Sequence, residues 1–158
     1  MIVVSDTSCI SNLLSIGREE LLPCLFGEVL IPPAVLRELL RFHVRVPDFV
    51  RCVSPVETGQ MARLSEELDL GEAEAICLAL ELKADRLLID EAPGRAAALR
   101  EGIPIIGLVG VLVAAKRAGH LGTIGPVLRQ LEVDAGFYLS ASLKDDVLRA
   151  VGEAEPSK

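Results

Sequence analysis

At 158 residues the chain is sized for one domain with a single substantial core. Hydrophobic residues make up 51% and mean hydropathy is +0.44, yet no apolar run approaches the roughly 20 residues of a membrane span; the excess predicts strands covered on both faces, or a subunit interface. A net charge of −7 and a pI near 4.9 exclude a surface that coats nucleic acid indiscriminately, and leave room for a local basic patch beside an acidic site.

The first apolar run, Ile2 to Ser5, is too short for a helix and reads as a strand. It ends at Asp6-Thr7-Ser8, a polar trio that starts a helix over Cys9 to Ser15, stopped by Gly17. A short helix over Glu19 to Leu25 closes at Gly27, and Val29-Leu30-Ile31 is the second strand. Pro32-Pro33 ends that strand and opens a helix to Arg41, where a missing N–H is harmless. Val35, Leu36, Leu39 and Leu40 share one face of it, with Glu38 at the border. Arg37, Arg41 and Arg45 recur every four residues and form a basic line if the helix continues that far.

Val50 to Val53, between Pro47 and Pro55, is restricted to a sheet edge. The segment Glu57 to Glu67 has helical composition, with Met61, Leu64 and Leu68 at core spacing. Asp69-Leu70-Gly71-Glu72 opens a helix to about Lys83 that is apolar nearly all round. Leu87-Leu88-Ile89 is a strand that delivers Asp90-Glu91 to its end, as the first strand delivers Asp6. A helix over Arg95 to Glu101, an edge strand over Ile103 to Gly107 and helices over Val109 to Ala118, Val127 to Val133 and Leu143 to Gly152 complete the chain. Strands alternating with helices predict parallel pairing through right-handed crossovers: an α/β/α three-layer sandwich around a mostly parallel sheet of about five strands. The expected organisation is a single domain over 1–153 with a frayed tail over 154–158.

The N-terminus does not read as a signal peptide, which makes the cytoplasm the expected compartment. Cys9, Cys24, Cys52 and Cys77 form no C-x-x-C pair, and His43 and His120 are not spaced as metal ligands relative to them; the cysteines read as small core hydrophobes.

In an open parallel sheet the ligand crevice lies beyond the carboxyl ends of the strands. Asp6 and Asp90 at strand ends, with Glu38 and Glu72 near helix starts, are four carboxylates that such a topology could gather there. Packed acids raise one another's pKa, so a cluster is stable mainly around a cation. All-oxygen ligation suits Mg²⁺ or Mn²⁺, which keep waters and take further oxygens from a substrate phosphate. Taken singly, each acid has a plainer role. Asp6 would cap the following helix, Glu72 would complete a capping box begun by Asp69, Glu38 would be solvated and Asp90-Glu91 would belong to a turn. One shared site accounts for all four placements.

Asp6-Thr7-Ser8 after an apolar strand, Pro33-x-x-x-x-Glu38-Leu39, Gly71-Glu72-Ala73-Glu74-Ala75-Ile76 and Leu88-Ile89-Asp90-Glu91 resemble the ordered acidic motifs of PIN domains, metal-dependent ribonucleases that include the VapC-type toxins. With Gly94-Arg95, Gly107-Leu108-Val109-Gly110 and Ala115-Lys116-x-x-Gly119, the chain resembles an uncharacterised PIN-like branch near those toxins, over about Ile2 to Glu153. The resemblance implies that Asp6, Glu38, Glu72 and Asp90 hold Mg²⁺ or Mn²⁺, with Thr7 or Ser8 supporting the water at the metal and Glu91 assisting. Many members of the family carry aspartate where this chain has Glu72. Glu74 is two residues further on and faces another way, so only one of the pair can be a primary ligand, and the eighteen-residue spacing to Asp90 favours Glu72.

Arg37, Arg41, Arg45 and Arg95 are the expected phosphate contacts, although arginines on an amphipathic helix commonly form only its wet face. With aromatic residues at 3%, base-stacking platforms are scarce. The expected function is metal-assisted RNA hydrolysis by the toxin-like half of a toxin–antitoxin pair, with a small antitoxin over the acidic groove and a homodimer from the apolar excess. The rival is a catalytically silent module that binds RNA or protein. A receiver-like phospho-signalling domain would need an acidic pair after the first strand, and an aspartate-nucleophile phosphatase a second aspartate where Ser8 stands.

Overall fold

The computed structural model describes residues 1–56 and 59–154, so the expected helix start at Glu57 and most of the expected tail lie outside the described residues. Five strands, β1 (Val3–Ser5), β2 (Val29–Ile31), β3 (Val50–Cys52), β4 (Arg86–Leu88) and β5 (Ile105–Ile106), pair in parallel in the order β3-β2-β1-β4-β5. Chain progression leaves the central β1 toward β2 and β3, then crosses back to β4 and β5. The order therefore reverses between β1 and β4, where Ser5 pairs with Leu88. A crevice opens at such a switch point beyond the carboxyl ends of the strands.

The connecting helices are α1 (Thr7–Ser15), α2 (Leu21–Phe26), α3 (Pro33–Phe42), α4 (Gly59–Ser65), α5 (Leu70–Leu82), α6 (Ala92–Arg100), α7 (Leu108–Arg117), α8 (Gly125–Ala135) and α9 (Ala141–Ala150). They cover both faces of the sheet, completing the three layers. Side chains alternate across a strand, so Val3 and Leu88 pack into one core with Ile10, Leu13, Leu112 and Leu131. Val4, Leu87 and Ile89 pack into the other with Ile76, Leu78 and Ala97. Burial on both faces is why these strands read as continuous apolar runs. Helix α5 is buried on nearly every side, as its composition demands. Among the described residues no helix is long and apolar enough to cross a membrane.

Three expectations are corrected. Helix α2 begins at Leu21, not Glu19. Helix α3 ends at Phe42, and His43 turns extended while its Nε2 sits 2.9 Å from the Ser11 hydroxyl, so Arg45 leaves the helix and the basic line stops at Arg41. Of the four free cysteines only Cys9 and Cys77 are buried; Cys52 lies on the edge strand β3 and Cys24 on the short helix α2, and both are exposed.

The last helices are fastened by one carboxylate. Glu153 accepts from the Ile124 N–H (2.8 Å), the Gly125 N–H (3.0 Å) and the Lys116 ammonium (2.7 Å), joining α7, the start of α8 and the chain beyond α9. Burial pushes the Glu153 carboxyl up; the Gly125 N–H, Lys116 and the Ile124 N–H outweigh it and bring it below the usual glutamate value.

Leu78 is fully buried in α5 against the β1–β4 face. Leu78→Ala should lower unfolding free energy by about 2–5 kcal/mol, read as a drop in the urea midpoint with an unchanged slope.

Candidate metal centre

Parallel strands deliver every succeeding helix start to the same rim, so the positive ends of α1, α3, α6 and α7 gather at the carboxyl edge of the sheet. Helix α5 runs back toward the start of β4 and brings its own N-terminus to that rim. Carboxylates accumulate where these N–H groups point. Asp6 directly follows β1, its N–H donates to Leu88 O at 3.0 Å, and its Oδ1 accepts from the Cys9 N–H at 3.4 Å as the cap of α1. Asp90 lies past the end of β4. Its Oδ1 accepts from the Leu108 N–H at 2.9 Å, serving α7 where Gly107 has no capping side chain, and its Oδ2 accepts from the Cys9 thiol at 3.1 Å.

Asp69 caps α5 by accepting from the Glu72 N–H at 2.9 Å. Ligand oxygens of Asp69, Glu72 and Glu91 lie within 4.8 Å of one another, and among the described residues theirs is the one set of three acids that meets this separation. It holds Glu72 alone of the four acids expected from the sequence. Asp6 and Asp90 form a neighbouring pair around Cys9, and the Glu38 carboxylate accepts from the Thr7 hydroxyl beside Gly71. The four thus share a rim; Asp6, Glu38 and Asp90 each lean on a donor of their own, because hydrogen bonds to the charged form favour it, and the Glu72 carboxylate has no such donor. Glu74 points elsewhere, near the Cys52 thiol at the end of β3.

The electrostatics differ between members. Burial pushes the Asp6 carboxyl up to about 8; the Cys9 N–H opposes the rise, and the charges of Asp90 and Glu91 add to it. Glu72 is also raised, by burial and then by Asp69 and Glu91, and its buried Oε2 has no hydrogen-bond partner. Burial and the adjacent Asp6 and Asp90 keep the Cys9 thiol protonated, so it donates to Asp90 and is no nucleophile.

Two glycines permit this crowding. A Cβ at Gly94 would sit 2.3 Å from Glu72 Oε2 and 2.6 Å from Ile89 Cδ1, and one at Gly107 would sit 2.7 Å from both Asp90 Oδ1 and Arg95 Nη1. An orphaned buried carboxylate oxygen, a cradle that a methyl group would fill and an all-carboxylate donor set fit a hard divalent cation.

The remaining expected residues are dispersed. Ser8 is half-buried in the first turn of α1. Arg95 is half-buried beside Asp90 and donates to Ile89 O at 3.0 Å. Arg37 is exposed near Cys52, and Arg41 is exposed in the last turn of α3. Sequence reasoning took Asp69 only as a cap and passed over Cys9; one helical turn between Asp69 and Glu72 is the signal that could have joined them.

Compared with known proteins, residues 2–153 match a family model described as PIN domain. No curated protein matches the chain.

Gly94→Ala should destabilise by about 1–3 kcal/mol and weaken Mn²⁺ binding at least about tenfold by driving Glu72 out of place, read by calorimetric titration. A pH dependence follows from Asp6, whose folded value of about 8 stands above the ordinary 3.8. Between those values the unfolded chain binds fewer protons than the folded one, so stability of the chelator-treated protein falls as pH rises, by on the order of 1.4 kcal/mol per pH unit at most, and levels off above the folded value. The urea midpoint should be lower at pH 8 than at pH 5, and Mn²⁺, which favours the ionised acids, should raise it more at pH 8. A flat profile unaffected by Mn²⁺ contradicts this.

Proposed function

Because the chain belongs to the PIN-domain family, whose fold is of nuclease type, we propose that it is a metal-dependent endoribonuclease hydrolysing phosphodiester bonds of single-stranded RNA. The observation that carries this reading is the orphaned, buried Glu72 Oε2 facing Asp69 and Glu91 on the rim where Asp6 and Asp90 also end. Asp69, Glu72 and Glu91 would hold Mg²⁺ or Mn²⁺, with Asp6 and Asp90 beside them on the same rim. A bound divalent ion supplies Lewis acidity toward a phosphoryl oxygen and lowers the pKa of water.

The chain's own residues do the rest. Burial and the nearby charges of Asp90 and Glu91 raise the Asp6 carboxyl, so a cation at this rim would stabilise its ionised, ligating form. Thr7 is aimed by its hydrogen bond to Glu38, which keeps that hydroxyl at the mouth of the site. Arg95, anchored on Ile89 O, places a cation where a substrate phosphate would approach Asp90. Exposed Arg37 and Arg41 extend positive charge along α3.

In this reading the protein is the toxin-like member of a pair, with a small antitoxin over the acidic rim. The exposed Leu40, Phe42 and Val44 at the end of α3 supply an apolar edge for a homodimer.

Purified protein should cleave a fluorogenic single-stranded RNA with Mn²⁺ or Mg²⁺ and fall silent with chelator. Asp6→Asn and Asp90→Asn should each lower the rate about 10²-fold or more while leaving the circular-dichroism spectrum unchanged. RNA binding that persists in both variants and in wild type, with no turnover under any divalent ion, would establish the silent binding module instead.

A further inference from the structure

A cavity of about 580 Å³ runs from the acidic rim over the outer side of β5 to the loop between α8 and α9, lined at one end by Asp90 and Arg95 and at the other by Phe137, Tyr138, Leu139 and Leu143. Its volume falls within the roughly 300–1,000 Å³ of small-molecule sites. The two ends differ in chemistry. One presents a guanidinium beside the candidate metal centre, and the other an apolar wall containing two of the chain's five aromatic side chains. A nucleotide has the same polarity, with an anionic phosphate joined to a flat, largely apolar base.

We propose that this groove is a nucleobase subsite, in which a base of single-stranded RNA stacks on Tyr138 while the adjoining phosphate meets Arg95. The inference rests on the nuclease reading for the identity of the strand, and draws its geometry from residues outside the acidic cluster.

The wall is held by the fold itself. Helix α8 ends at Gly136 in the left-handed region (φ 66°), and the Phe137 N–H donates to Leu131 O at 3.0 Å, fixing the direction in which the chain leaves the helix. Phe137 packs onto the core shared by α1, α7 and α8, which anchors the backbone beneath its neighbour. On the far side Ser140 caps α9 by accepting from the Leu143 N–H at 3.1 Å, holding Leu143 at the groove. Tyr138, held between these anchors, is 75% exposed. A large aromatic side chain left in water on an ordered loop, beside a guanidinium and an acidic centre, offers a stacking face to a base. A stacked base is sequence-tolerant, so the subsite positions the strand without demanding one sequence.

Tyr138 is the sole tyrosine and the chain has no tryptophan, so its intrinsic emission reports on the groove alone. In chelator, short oligoadenylate and oligouridylate RNA should quench that emission, and an abasic oligomer of equal length should not. By anisotropy of the labelled RNA, Tyr138→Ala should weaken binding about 5- to 100-fold and Tyr138→Phe by less than about twofold. Equal binding of abasic and base-bearing strands, equal affinity of the alanine variant and wild type, or no binding by wild type overturns the subsite. Cleavage by the same preparations in Mn²⁺ is scored separately. Base-dependent quenching without cleavage removes the nuclease reading alone, and cleavage without base-dependent binding removes the subsite alone.

Discussion

Carboxylates crowded at one end of a parallel sheet are the constraint on which the rest of this structure turns. Their repulsion is offset by backbone N–H groups at helix starts, which a doubly wound topology points at the same rim. Asp6, Asp69 and Asp90 each accept from the first turn of a different helix, α1, α5 and α7. The side chains that concentrate negative charge are therefore the ones that begin the helices, and folding and site assembly draw on the same hydrogen bonds. Asparagine caps a helix about as well as aspartate, so charge and cap are separable at these positions, and a loss seen with asparagine belongs to the charge.

Not all of the acids are equally served. Asp90 has both oxygens occupied, by the Leu108 N–H and the Cys9 thiol. Glu72 has an oxygen with none, although the residue is only 7% exposed. A buried carboxylate oxygen without a donor carries a desolvation cost of a few kcal/mol unless it is protonated or faces a cation. Its raised pKa is the first of these answers, and the approach of Asp69 and Glu91 fits the second. Gly94 and Gly107 belong to the same balance, since a methyl group at either would fill space next to the carboxylates of Glu72 or Asp90.

The alternation of short apolar runs with helical segments made the three layers legible, and the strand-end acids made Asp6 and Asp90 legible, because both signals are local and periodic. The strand order was not, since nothing in a run such as Val29-Leu30-Ile31 says which neighbour it pairs with. The site divided along the same line. Asp69 read as a cap, and it is one; its place beside Glu72 and Glu91 depends on Glu91 arriving from beyond β4, a long-range fact with no local signature. Glu38 read as a border residue of α3, and only the packing of α3 beside α1 gives it Thr7. Arg45 and Cys52 were misread because helical spacing was extended past the end of α3 and because a small hydrophobe was assumed buried on an edge strand. Asp6 caps α1 as the plainer interpretation expects, and the same carboxylate lies near Asp90 on the rim.

Net charge sets the remaining problem. A chain of charge −7 repels a polyanion at long range, so any affinity for a strand must come from contacts at the rim. Among the described residues Arg95 stands there beside Asp90, whereas Arg41 lies in the last turn of α3, at the end away from the rim. Phosphate contacts of that number release few counterions and confer modest affinity. Contacts that do not depend on charge must supply the difference, and beside the acidic centre the wall of Phe137, Tyr138 and Leu143 offers an apolar surface of that kind. The scarcity of aromatic residues in the chain thus weighs less than their placement, because an exposed ring in the groove beside Asp90 and Arg95 offers a stacking face that rings buried in the core do not.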